Sequence, residues 1–301
     1  MSTGRIVEIA TDGRHLAVHR GFMTVTADKE EIARIPLDDI AAVIANAHGL
    51  TYSNNLLVEL AKRGALMVLC GPNHSPAAFL WSVEGHHIQS ARIESQLTAS
   101  TPKSKQLWKQ IVQAKVAQQA AILEAMGLPY APVKSLVQSV RSGDPDNIEA
   151  QAARRYWPLI FGADFRRDRD SGGMNAMLNY GYTVLRATTA RSIMAAGLHP
   201  SIGLHHSNQF NPMRLADDLM EPFRPFIDFT VFQIVKNGHY DVTPETKKIL
   251  ASVMDMEVAM EHGATALKTA VQDMASSLGM IFEGKTEKLS LPDPQPPLWR
   301  I

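Results

Sequence analysis

One cysteine in 301 residues, Cys70, leaves this chain without an internal disulfide, a CxxC redox pair or a cysteine-clustered zinc site. It lies in the apolar run ALMVLC and is expected to pack as a small buried hydrophobe. No stretch is apolar for long enough to read as a membrane span. The N-terminal MSTGRIVEIATDGRHLAV has acidic and polar residues where a secretory signal needs a basic start and an unbroken apolar run, so a cytoplasmic location is expected. No internal repeat, phosphate-binding loop or dinucleotide fingerprint occurs. Net charge is missing too, since 30 Lys plus Arg balance 30 Asp plus Glu. The chain does have 45% hydrophobic and 20% charged residues, which excludes disorder and fits a globular protein of one large or two smaller domains.

The charge balance is uneven along the chain. Residues 101–200 hold 13 Lys plus Arg against 7 Asp plus Glu, while both flanking thirds are net acidic. A basic surface beside an acidic site suits an enzyme acting on nucleic acid.

Hydrophobic periodicity divides the chain near residue 90. Before it, GRIVEIA, HLAVHRG and FMTVTAD are separated by Asp-Gly and charged breaks, as in successive antiparallel strands, and IARIPLDDIAAVIA continues the pattern. Ser53 or Asn54 can cap one short helix through NLLVELAKRG, with Gly64 as its stop. ALMVLC and AAFLWSV add two strands. After residue 90 the period becomes helical. SKQLWKQIVQAKVAQQAAILEAMG sets Leu107, Ile111, Val112, Ala114 and Val116 among Lys and Gln and ends at Gly127. Helices are expected through residue 282, with Met254, Met256, Met260 and Met274 as core fillers. The expected architecture is α+β: a β-rich domain with one short helix over 1–90, an all-α catalytic domain over 91–284 and a loosely attached, proline-rich tail over 285–301.

Metal-ligand side chains recur in the most polar helical stretches. In GDPDNIEAQAARRYW, Asp144 can cap a helix whose first residue is Pro145, placing Glu149 on a rigid early turn. GLHPSIGLHHSNQFNPMRLADDLMEPFRPFID carries His205 and His206, then a helix starting near residue 213 on which Asp217 and Asp218 precede Glu221 by one turn. Pro222 must kink or interrupt that helix. A cation held by Glu149, His205 and Glu221 would suit phosphate chemistry, and the one imidazole makes Mn²⁺ more comfortable than a purely oxygen site would, with Mg²⁺ as the alternative. Asp217 has three open roles: to cap, to pair with Arg214 or to join or support the ligands. Asp218 could orient Arg224 or do the same. Arg154, Arg155, Arg166, Arg167 and Arg169 are candidates for DNA-phosphate contacts, with salt bridges and a solvated turn as the alternatives.

The blocks KQLWKQIVQAKVAQQAAIL, GDPDNIEAQAARRYW, NYGYTVLRATTARSIMAAGLHPSIGLHH and LADDLMEPFRPFID resemble the Cas1 family of CRISPR-associated integrases and endonucleases. Within it they are most similar to the short proteins of type II systems, in particular the II-C subgroup. The resemblance covers nearly the whole chain and is weakest in the tail. It implies a β-rich N-terminal domain that dimerises and a helical catalytic domain. It also implies Glu149, His205 (rather than His206) and Glu221 as catalytic ligands of Mg²⁺ or Mn²⁺. The implied reaction is metal-dependent joining of prespacer 3′-hydroxyl ends to the leader-repeat array, with DNA endonuclease capability. The implied assembly is a homodimer that joins Cas2 in a heterohexamer and binds double-stranded prespacer and leader-repeat DNA, with Cas9 as a further candidate partner and no membrane. A branched-DNA repair nuclease and a non-enzymatic DNA-bridging scaffold are the competing readings.

Overall fold

The computed structural model describes residues 5–71, 76–80, 82, 83, 88–168 and 170–296. The chain forms two compact units, Met1–His87 and Ile88–Ile301.

The first unit carries two four-stranded sheets. Its strands are β1 (Arg5–Ile9), β2 (Arg14–His19), β3 (Phe22–Ala27), β4 (Glu30–Pro36), β5 (Ile40–Ala45) and β6 (Thr51–Tyr52), then β7 (Leu66–Cys70) and β8 (Pro76–Leu80) after helix α1 (Asn54–Lys62). The antiparallel succession holds for β2, β3 and β4 and for the later pair β7 and β8. Their tight turns put Arg20, Gly21, Asp28 and Lys29 at positive φ, as two-residue hairpin turns require. β1 instead pairs parallel with β5, and β5 parallel with β7. The reason lies in IAAVIA, which is buried almost throughout and needs the interior of a sheet rather than a half-solvated hairpin. Ser53 caps α1 by accepting the Leu56 N–H, and Leu56 and Leu60 enter a core with Leu16, Met23, Val43 and Met67. Each such apolar side chain contributes about 1.5–3 kcal/mol on burial. Cys70 is half-buried rather than enclosed.

The second unit is built around α3 (Thr101–Ala125), preceded by α2 (Gln89–Leu97). The short α4 (Ala131–Lys134), α5 (Ile148–Phe161), α6 (Met174–Ala195) and α7 (Arg214–Leu219) follow. A single 3₁₀ turn over Glu221–Phe223 joins α7 to α8 (Arg224–Lys236), so Pro222 sits at the interruption. α9 (Pro244–Ser252) and α10 (Leu267–Phe282) complete the helices. α6 and α8 approach so closely that a Cβ on Gly181 would lie 2.4 Å from Ile227 Cγ2, which leaves room for glycine alone.

This unit departs from a purely helical reading at 257–266. There β9 (Glu257–Met260) and β10 (Gly263–Ala266) form an antiparallel hairpin. Val258 and Met260 point inward on alternate residues, and Gly263 has φ +114°, a conformation outside the helical region. Met254, Met256, Met260 and Met274 are all buried. The start of the tail is tied down rather than loose. The Leu289 N–H donates to Gln110 Oε1, the Ser290 N–H to Ser277 Oγ, and Gln118 Nε2 to the Gln295 carbonyl. Pro292 bridges to Met260 of the hairpin. Residues 297–301 lie outside the described residues. Among the described residues, no helix is long and apolar enough to cross a membrane.

Candidate metal centre

Several elements of the helical unit supply the site. α5 begins at Ile148, three residues later than Pro145 would start it, because Asn147 takes the left-handed conformation (φ 51°, ψ 49°) and becomes the cap. Asp144 still contributes: its carboxylate accepts from the Ile148 and Glu149 N–H groups at 2.8 and 3.0 Å. Glu149 is thereby fixed on the first turn, and Glu221 opens the 3₁₀ turn before α8. The two carboxylates meet at one nitrogen. Lys115 Nζ of α3 lies 2.5 Å from Glu149 Oε1 and 2.5 Å from Glu221 Oε2. Arg224 adds a second cation, with Nε 2.9 Å from Glu221 Oε1.

Burial works against the charges of Lys115, Glu221 and Arg224, yet the charges hold one another. Burial alone would favour neutral Lys115, but Glu221 and Glu149 outweigh it and keep the ammonium above its ordinary pKa. Burial likewise opposes ionised Glu221, while Arg224 and Lys115 keep that carboxyl below the usual range. Removing one partner from so buried a group costs about 3–5 kcal/mol, because the others are left uncompensated.

His205 and His206 follow Gly203 in the loop before α7. Asp218, fully buried on α7, accepts from the N–H groups of Leu204, His205 and His206 at 2.6, 3.1 and 3.2 Å. Its Oδ1 also meets His206 Nδ1 at 2.6 Å, and this hydrogen bond raises the His206 pKa. A Cβ on Gly203 would sit 2.7 Å from the His206 carbonyl oxygen and 3.0 Å from Asp218 Oδ2, so the wrap needs glycine. Gln96 of α2 braces the start of the loop, donating to the His199 and Ile202 carbonyls and accepting the His199 N–H. His206 is committed to Asp218. The His205 ring instead stacks on Trp108 of α3, with centroids 4.3 Å apart and planes 2° from parallel. Trp108 lies two helical turns from Lys115 on the same side of α3.

Asp217 takes neither of the specific roles expected of it. Its carboxylate receives Arg186 Nε and Nη2 at 2.7 and 2.9 Å, and Asn211 Nδ2 at 2.6 Å. Asp218 does not orient Arg224, because its oxygens are taken by the histidine loop. Of the arginines, Arg154 and Arg155 are exposed on α5, although Arg155 Nη1 also donates to the Pro132 carbonyl. Arg166 is exposed and turns back onto the Ala163 and Phe165 carbonyls. Arg167 is drawn inward to Asn175 and Asn179. Arg169 lies outside the described residues.

Lys115, Trp108 and Arg224 were not among the expected site residues. One signal for Lys115 was readable: it stands in register with Trp108, Ile111, Val112, Gln119 and Ile122, the buried stripe of α3.

Behind Arg224 lies a buried polar pair. Tyr182 of α6 donates its hydroxyl to Asp228 of α8, and the Arg224 guanidinium lies 4.7 Å over the Tyr182 ring. Burial raises the Asp228 carboxyl from 3.8 to about 7, although the Tyr182 hydrogen bond and the nearby cations pull the other way. A folded-state value above the unfolded one means that this group's contribution is full below about pH 4 and is lost as pH rises toward about 7. Asp228→Asn keeps an acceptor for Tyr182 and removes the titration. It is expected to melt a few degrees above the parent at pH 8, with the gap closing toward pH 5. Thermal melts of both proteins at the two pH values check this; a gap independent of pH would refute it.

Among the described residues, no three His, Cys, Asp or Glu side chains are close enough to hold a metal ion. The donor set nevertheless fits one. Two carboxylates from different elements share a single cation, and the His205 imidazole, stacked on Trp108, makes no hydrogen bond among the described residues. Oxygen donors with one nitrogen suit Mg²⁺ or Mn²⁺.

A two-carboxylate notch closed on the buried Lys115, with the Trp108–His205 stack on the same helix, defines a candidate phosphate-chemistry centre. The family model described as "CRISPR associated protein Cas1" matches residues 7–255. The CRISPR-associated endonuclease Cas1 of Neisseria meningitidis serogroup C (strain 8013) is 33% identical over 287 residues, covering 94% of each chain. This chain therefore belongs to the Cas1 family. Among solved structures, a casposase bound to integration product superposes with a TM-score of 0.83 at 18% identity, covering 99% of this chain and 96% of that one. A Cas6-RT-Cas1–Cas2 complex gives a TM-score of 0.74 at 16% identity, covering 96% of this chain and 36% of that one. Both share its α+β fold.

Proposed function

We propose that this chain is a metal-dependent DNA strand-transfer enzyme of CRISPR adaptation, joining prespacer 3′-hydroxyl ends to a leader-repeat array. The observation that carries the reading is the convergence of Glu149 and Glu221 on one cation, Lys115, of the helix whose Trp108 stacks on the His205 imidazole. Glu149 and Glu221 would bind Mg²⁺ or Mn²⁺ through carboxylate oxygens, and His205 through a ring nitrogen. An ion bound there supplies positive charge to the phosphate under attack. Asp218 holds the His205 backbone, and the Trp108 stack sets the plane of its ring. The attacking 3′-oxygen forms a new bond to phosphorus as the bond to the displaced 3′-oxygen breaks. One phosphodiester replaces another, so no external energy is needed. The attacking hydroxyl gives its proton to solvent and the departing strand takes one up. Arg154 and Arg155, exposed on the helix that carries Glu149, suit phosphate contacts that position DNA without reading its sequence.

The Neisseria relative's designation as an endonuclease favours a second reaction at the same centre, with water in place of the 3′-hydroxyl. Partnership with Cas2 is supported by the fold shared with the Cas1–Cas2 complex, and the heterohexamer built on dimers of this chain is inferred from the family resemblance.

The test is joining of a labelled 3′-hydroxyl duplex to a leader-repeat duplex by the purified chain with its cognate Cas2. Product is expected with Mg²⁺ or Mn²⁺ and none with chelator. Equal joining in chelator would overturn the metal-dependent reading.

A further inference from the structure

The notch between Glu149 and Glu221 already holds a cation of the protein's own. We propose that the Lys115 ammonium is the resident counter-ion of these carboxylates, and that a divalent ion enters only by displacing it, so that Lys115 sets the affinity of the site. The inference rests on the metal-centre reading above and adds what the metal must compete with. Lys115 Nζ lies 2.5 Å from an oxygen of each carboxylate, so it fills the point between them that an ion bound to both would take. The two cations would thus claim one position, and like charges cannot share it. Lys115 is buried, with its side chain 11% exposed, and is fixed at its root by a 25-residue helix. Its four-carbon stem still lets the compact ammonium swing aside while the backbone stays in place. Arg224 behaves differently. It holds the other oxygen of Glu221 and packs over the Tyr182 ring, so it steadies that carboxylate without filling the notch.

Without metal, Lys115 keeps two like-charged carboxylates converged and so preserves the site's shape. It also makes the ion pay for entry through lost ion pairs. A neutral side chain there has opposite effects on the two states: the metal-free fold weakens and metal binding tightens. A residue that merely supports the site would weaken both when replaced.

The experiment measures Mn²⁺ binding to the full-length chain without DNA, from the paramagnetic resonance signal of free Mn²⁺. It compares the parent with Lys115→Met, Lys115→Gln and His205→Ala. Both Lys115 variants are expected to bind Mn²⁺ about tenfold or more tightly, the scale of an ordinary coupling between two competing ligands. Their melting temperatures should be lower without metal and rise further with it. Equal or weaker binding by foldable variants overturns the proposal. The parent alone gives a second readout through amine acetylation mapped by mass spectrometry. Lys115 should be protected without Mn²⁺ and labelled with it, and protection unchanged by saturating Mn²⁺ overturns displacement. Parent binding that depends on His205 but is not tightened in the Lys115 variants defeats this proposal and leaves the metal centre standing. No binding by any of the proteins defeats both.

Discussion

His205→Ala is expected to lower strand joining by about a thousandfold or more while leaving the fold intact. Loss of a ligand that holds catalytic charge at the phosphate removes several kcal/mol of transition-state stabilisation, and each 1.36 kcal/mol is about tenfold in rate. This variant is cleaner than a glutamate replacement. His205 makes no hydrogen bond through its ring among the described residues and is solvent-exposed, so its removal forfeits ring contacts alone, the stack on Trp108 and an edge contact with His206, each about 0.5–1.5 kcal/mol. Glu149→Gln would instead take one of two carboxylates from buried Lys115, mixing lost stability with lost chemistry. His206→Ala is the matched control. Its ring is committed to Asp218 through Nδ1, so a smaller loss of joining is expected. Joining rates, melting temperature and DNA affinity measured side by side make the comparison. Retention of joining within tenfold in His205→Ala would remove this histidine from the centre. Loss of joining with DNA binding intact would also exclude a purely bridging, non-enzymatic role.

The α+β division was readable because apolar spacing changes period near residue 90, and periodicity is local. What failed to read was set by distant partners. IAAVIA looks like another strand of a meander, and only the competition for a fully covered place in a sheet moves it beside β1. MEVAMEHGATA lies between helices and was absorbed into them, although alternating Val258 and Met260 and the following glycine carry a hairpin pattern. In the candidate site, Glu149, His205 and Glu221 were legible as ligand types and by resemblance. Lys115 was not singled out, because lysine usually belongs on a solvated face. Its burial follows from two carboxylates more than 30 residues away, on α5 and before α8, which no local pattern announces. The partners of Asp218 were not legible for the same reason: they are mainly backbone N–H groups, which every residue but proline carries and which leave no mark on the sequence.

Asp218→Ala is expected to be the most damaging single change to the fold around this centre. The carboxylate is fully buried and satisfies the N–H groups of Leu204, His205 and His206 together with the His206 ring. Alanine leaves those donors facing an apolar methyl group. Each unsatisfied buried donor costs about 1–3 kcal/mol, part of which solvent recovers at the exposed end of the loop. A net loss of about 3–5 kcal/mol follows, and with it a drop of about 10 °C in melting temperature. Asp218→Asn keeps one acceptor oxygen in the same volume and should fall between alanine and parent. The readout that separates loop release from general destabilisation is amide hydrogen exchange. Leu204, His205 and His206 should lose protection in Asp218→Ala, while the buried middle of α6 keeps its own relative to the reduced global stability. Joining should fall in step with that local exchange, because His205 has to be carried by a fixed backbone to meet Glu149 and Glu221 at one ion. If the loop amides stay as protected as in the parent, Asp218 is not what holds the histidine in place, and the bracing passes to Gln96 at the start of the loop, where Gln96→Ala would then produce the exchange pattern expected here of Asp218→Ala.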